Sequence, residues 1–166
     1  MPPPARRDPL DTVTEINVDD LLDAVGLPWL RRTPLRRLFQ RPPRRFAQLA
    51  MGFDHCVGTQ GLAAGSAWLL QRMTAGLEIH GDHHMPSSGP LLVLANHPGM
   101  TDTVALLAAL AGRPDLRVIA GDRPFLRALQ HVAPSLILLP EGGGAQLQVL
   151  RAAVAHLQRG GALLTF

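Results

Sequence analysis

The chain has 166 residues, a formal net charge of +3, sixteen basic residues that are all arginine, and 46% hydrophobic residues. That is long enough for one domain with a real core and too short for two large ones, and it excludes a disordered or fibrous chain. A single cysteine, Cys56, rules out an intrachain disulfide framework and reads as a small apolar filler; no apolar run reaches the roughly 20 residues of a spanning helix.

Residues 1–16 are proline-rich and polar and read as a loose arm, and Met1 to Arg7 leads into an acidic stretch rather than the apolar core of a secretory leader. Val18 to Val25 reads as a short acidic helix with Asn17 as its N-cap and Gly26 as its stop. Seven arginines then fall within fifteen residues: Arg31, Arg32, Arg36, Arg37, Arg41, Arg44 and Arg45. Pro34, Pro42 and Pro43 break the run, and Leu30, Leu35, Leu38, Phe39 and Phe46 are interleaved with it. Such a segment fits an anionic bilayer surface, and it equally fits a solvated basic face with a few core anchors. Nucleic-acid binding is disfavoured, because no recognisable nucleic-acid module accompanies the charge.

From Phe46 to Met73 apolar residues occur all round, punctuated by Gly52, Gly58, Gly61 and Gly65. The expectation is one or two helices that pack against the later domain or dip into a membrane interface. From Leu77 the pattern alternates. Strands are expected at Leu77 to His80, Leu91 to Ala95, Leu116 to Ala120, Ser135 to Leu139 and Ala162 to Phe166. Helices are expected at Thr103 to Ala111, Pro124 to His131 and Ala145 to Gln158. The unbroken apolar run 91–95 predicts a strand covered on both faces. The resulting fold class is α/β, a largely parallel sheet flanked by helices, preceded by an N-terminal helical segment able to associate with a membrane. Three regions follow: 1–45, 46–76 and 77–166. A buried strand at Phe166 with no turn after it predicts a chain cut short.

In such a fold reactive groups gather at the carboxyl ends of strands. Just past one such end stands Asn96-His97-Pro98-Gly99-Met100-Thr101-Asp102. An aspartate at a helix mouth is kept ionised by the helix terminus, and can accept from one ring nitrogen of a histidine while the other takes a substrate proton. The competing reading is a structural histidine bonded to a helix cap.

The lead-in Leu77-Glu78-Ile79-His80-Gly81, the stretch Met85-Pro86-Ser87-Ser88-Gly89-Pro90, and the strand with Asn96, His97 and Asp102 together resemble the glycerolipid acyltransferase family of the lysophosphatidic acid type, with its N-H-x4-D motif. The resemblance covers about residues 77–166. It implies transfer of a fatty acyl group from acyl-CoA or acyl carrier protein to a hydroxyl of a glycerolipid-like acceptor, with no metal and no bound cofactor. His97 would be the general base and Asp102 its orienting partner. Asn96, Gly99, Met100, Thr101 and Arg123 would contact substrate. A cytoplasmic enzyme, peripheral on the inner face of the membrane, would follow, touching it through Arg31 to Arg45 and residues 46–73. Where the family presents an acceptor-holding arginine, this sequence has Glu141 before Gly142-Gly143-Gly144, and a carboxylate there would repel a phosphate. The family's Pro-Glu-Gly turn would begin directly after Phe166.

His80, Asp82, His83 and His84 could hold a metal, but adjacent histidines across a turn share a tetrahedral site poorly. The three glycines suit a strand-to-helix turn better than a phosphate cradle. Arg123 and Arg127 could meet an anionic acceptor or simply face solvent, and His131 and His156 read as satisfied partners or surface residues. The rival classes are a non-catalytic, membrane-associated fragment and, more distantly, a metal-dependent hydrolase.

Overall fold

The computed structural model describes residues 8–96, 99–142 and 144–166. The first helix, α1 (Pro9–Ala24), starts well before the expected Val18. Asp8 caps it, its side chain accepting from Leu10 N at 3.0 Å, and Pro9 occupies the first turn where a missing N–H costs nothing. Residues 9–16 are therefore helix and not a loose arm, and Asn17 is mid-helix and not its cap. Gly26, at φ 73°, closes the end in the left-handed region. Val13, Val18 and Leu22 form the buried face.

Two short 3₁₀ helices follow, Pro28–Arg32 and Pro34–Phe39, and then α2 (Arg41–Gln60) and α3 (Leu62–Met73). The prolines that seemed to break the arginine run instead start these elements, each lying in a first turn. The glycines of 46–73 let α2 and α3 approach closely. A Cβ on Gly52 would lie 2.5 Å from the Trp68 ring, and one on Gly65 would lie 2.5 Å from Val57 Cγ2 and 3.0 Å from its backbone nitrogen. Phe53, Val57, Leu69 and Leu70 are buried with Val104 of α4 (Met100–Ala109), so this hairpin packs on the domain.

The strands are β1 (Leu91–Leu94), β2 (Arg117–Gly121), β3 (Leu136–Leu139) and β4 (Ala162–Thr165). They form one all-parallel sheet in the order β1-β4-β2-β3. Two further helices, α5 (Pro124–Ala128) and α6 (Gln146–Gln158), complete the α/β alternation. Leu77–His80 is not a strand; its four residues are exposed and unpaired in the sheet. The central β4 is buried over Ala162, Leu163 and Leu164. β1 is an edge strand: Leu91 and Val93 face α4, while Leu92 and Leu94 stand 51% and 73% exposed. The run 91–95 is thus covered on one face only, because α6 packs on β3 and β4 and leaves the edge bare.

Two polar hubs tie the layers. Arg113, 2% exposed, donates to the carbonyls of Pro86, Gly89 and Gly160 and makes a two-pronged bond to Asp115. His156 Nε2 donates to the carbonyls of Asp115 and Ala162 at 2.9 and 3.0 Å, bracing α6 against the start of β4.

A third tie was invisible in the sequence. Asp54 of α2, 3% exposed, accepts from the backbone nitrogens of His131 and Val132 at 2.8 and 3.0 Å and from His131 Nδ1 at 2.9 Å. It fastens the loop after α5 to the helical hairpin. Asp54→Ala strands one buried and one half-buried N–H group and is expected to cost about 2 kcal/mol, read as a lower urea midpoint with unchanged slope.

Candidate functional site

The strand ends set the geometry. β1, β4 and β2 are neighbours and parallel, so the turn after β1, the end of β4 and the turn after β2 open on one edge of the sheet. Asn96 is exposed just past β1, which stays bonded to β4 as far as Ala95 N to Thr165 O at 3.1 Å. His97 and Pro98 lie outside the described residues. Gly99 is the N-cap residue of α4, so Met100 and Thr101 occupy its first positions and Asp102 the third. Asp102 is therefore in the first turn of the helix, within reach of the positive end of its dipole, and it is exposed. Side chains on a helix lean toward its N-terminus, and here Asp102 Oδ2 would stand 3.4 Å from a Cβ placed on Gly99. The carboxylate leans back toward Gly99 at the mouth of α4.

After β2 the chain delivers Arg123, whose Nη1 meets Glu141 Oε1 from the turn after β3 at 2.8 Å. The two strands are adjacent, and the ladder runs one residue past their ends through Asp122 N to Leu139 O at 2.9 Å, which puts both turns side by side. Glu141 does not stand as a bare charge: it is neutralised by Arg123. Arg127, the other candidate for an anionic ligand, is held in a two-pronged pair with Asp122. The Arg127 hydrogen bond keeps the Asp122 carboxyl below its ordinary value.

Met100 and Arg123 line one open groove of about 440 Å³, together with Asn17 and Asp20 of α1, Phe46 of α2, and Pro124, Phe125 and Leu126. That volume falls in the range of small-molecule sites, about 300–1,000 Å³. Its wall includes the Phe46–Phe125 pair, stacked with ring centroids 5.5 Å apart. Asn17 Nδ2 is buried without a hydrogen-bond partner among the described residues. Sequence reasoning took Asn17 for a cap and Phe46 for a membrane or core anchor. The signal that could have found them, a shared face of α1 and α2, exists only once the helices are packed.

A smaller cavity of about 140 Å³ lies at the far end of α4, among Leu62, Leu107, Leu110 and Leu116, away from these groups. His80, Asp82, His83 and His84 are all exposed. His80 Nε2 sits 3.1 Å from Glu78, and the His83 and His84 rings lie against each other at 4.0 Å. Among the described residues no group of three or more histidines, cysteines or carboxylates is disposed to hold a metal ion. Nor, among them, is any helix long and apolar enough to cross a membrane.

Comparison with protein-family models, curated proteins and solved structures finds no match.

Proposed function

We propose that the protein is an acyltransferase that moves a fatty acyl group from an acyl thioester, acyl-CoA or acyl carrier protein, to a hydroxyl of a glycerolipid-like acceptor. The observation that carries the reading is the meeting of three features at one sheet edge: Asp102 leaning back toward Gly99, Met100 in the same first turn of α4, and a groove walled in part by Phe46 and Phe125 that Met100 shares with Arg123. His97 takes the acceptor proton while Asp102 orients its ring. The acceptor oxygen forms the new bond to the acyl carbon, the carbon–sulfur bond breaks, and the departing thiolate recovers the proton. Asn96, Gly99 and Thr101 line the turn where the acyl carbon is presented. The apolar wall of Phe46, Phe125 and Leu126 suits a hydrocarbon chain. No bound cofactor is required.

The pairing of Arg123 with Glu141 sets the acceptor's charge. As paired, the turn carries no net charge, which favours neutral acceptors over phosphate-bearing ones. Glu141→Gln is expected to free Arg123 and lower KM for a phosphate-bearing acceptor by about fivefold, the worth of one exposed charge pair, with KM for a neutral acceptor unchanged. Arg123→Ala should remove that gain in the double variant. Steady-state acyl transfer with a matched pair of acceptors, one phosphorylated and one not, measures both, and an equal response of the two acceptors would refute the assignment.

A further inference from the structure

Up to Phe39 the arginine-rich segment is built with period three, not 3.6, and from Arg41 it continues into the α-helix α2. In a 3₁₀ helix residues i and i+3 eclipse, so each such helix presents three edges. In Pro34–Phe39 one edge carries Leu35 and Leu38, which are 51% and 75% exposed. A second carries Arg36 and Phe39, turned inward, with Arg36 Nη2 3.4 Å from Asp19 Oδ1 and Phe39 against Val18, Leu22 and Leu30. In Pro28–Arg32, Leu30 is buried while Trp29 and Arg32 share an outward edge, Trp29 being 63% exposed. Arg31 is tied to Asp23 and to the Asp19 carbonyl, and Arg44 Nη1 lies 3.1 Å from Asp11 Oδ1.

The acidic helix α1 thus consumes three of the seven arginines, Arg31, Arg36 and Arg44. The other four, Arg32, Arg37, Arg41 and Arg45, are exposed and have no carboxylate partner among the described residues. The same stretch of chain exposes three large apolar side chains, Trp29, Leu35 and Leu38, among the described residues.

We infer that Trp29, Leu35 and Leu38, with Arg32, Arg37, Arg41 and Arg45, form a docking surface for an anionic lipid bilayer. Uncompensated guanidinium groups are attracted to the anionic headgroups, and the three apolar side chains enter the headgroup–acyl boundary, where an aromatic ring is favoured. A nucleic acid would use the arginines but leave Trp29, Leu35 and Leu38 in water, which makes lipid the better match. Arg41 and Arg45 lie in the first turns of α2, immediately before Phe46 of the groove, so the surface opens beside it. The assignment does not depend on acyl transfer, because docking is read without any acyl donor.

Co-sedimentation of the full chain with vesicles tests it. Binding is expected on phosphatidylcholine–phosphatidylglycerol vesicles, weakening as salt rises, and at least tenfold weaker on phosphatidylcholine alone. Reversing all four free arginines to glutamate should lower the partition by a hundredfold or more, since each is worth about fivefold near an anionic surface. Trp29→Ser with Leu35→Ser and Leu38→Ser should weaken binding while leaving its salt dependence in place. The single reversals Arg37→Glu and Arg41→Glu, on exposed positions, should each give the fivefold step if the quadruple variant does not fold. Equal binding to neutral vesicles, single reversals without effect, or a duplex oligonucleotide that displaces the protein from vesicles with the serine variant unaffected would each overturn the assignment.

Discussion

Replacing His97 with alanine is expected to lower acyl transfer by about a thousandfold, the middle of the range for loss of a positioned general base. Asp102→Asn should cost about a hundredfold, because an amide can present its N–H to the ring and hold the wrong tautomer. The position of Asp102 makes the second variant the sharper one. At the third position of α4 it also interacts with the helix terminus, a contribution of about 0.5 kcal/mol at an exposed site. A residue that only served the helix would lose that much stability and no rate. A residue that orients a base loses rate far beyond it. Thioester consumption measured beside a urea melt separates the two, and a rate that falls no further than the stability change predicts would remove Asp102 from the site.

Arg113→Ala is expected to be the most damaging substitution for folding, at about 3–5 kcal/mol, enough to unfold much of the protein at 37 °C. The guanidinium is buried and joins three segments: the loop before β1 through the Pro86 and Gly89 carbonyls, the connection between α4 and β2 that carries both Arg113 and Asp115, and Gly160 before β4. Removing it leaves three carbonyls and a carboxylate without their donor. Arg113→Lys keeps the charge but not the fork, and should recover less than half of the loss.

The same pair predicts an acid limb in the stability profile. The hydrogen bond from Arg113 holds the Asp115 carboxyl down at about 2, against the opposing effect of its partial desolvation. A carboxyl depressed in the folded state stabilises above its unfolded value and loses that contribution as pH falls through the folded one. The wild type should therefore weaken between about pH 4 and pH 2, by about 1 kcal/mol once solvent screening of the 40%-exposed Asp115 side chain is allowed for. Asp115→Asn should flatten that part of the curve, which urea titration across the window will reveal.

Much of the α/β half was legible from residue pattern. The segments around β2, β3 and β4 and helices α4 and α6 stand where alternating apolar runs, Gly and Pro placed them, because short-range signals are enough to punctuate a parallel fold. The misread segments share one cause. Leu77–His80 has strand composition but no neighbouring strand to bond, and 91–95 has the composition of a strand covered on both faces but lies at an edge. The N-terminal segment was misread because a proline in a first turn looks, in sequence, the same as a proline that ends one.

By itself the sequence determined the α/β grammar, a strand ending just before Asn96 with a helix following it, and the clustering of arginines, since each is a matter of local order along the chain. Only the tertiary structure decided which charges are free. Asp11, Asp19 and Asp23 silence Arg31, Arg36 and Arg44 across up to 33 residues of chain, and Glu141 meets Arg123 only because β2 and β3 are adjacent. Charge pairing depends on distances of about 3–4 Å between groups far apart in sequence, and those distances exist only after the helices and strands have packed.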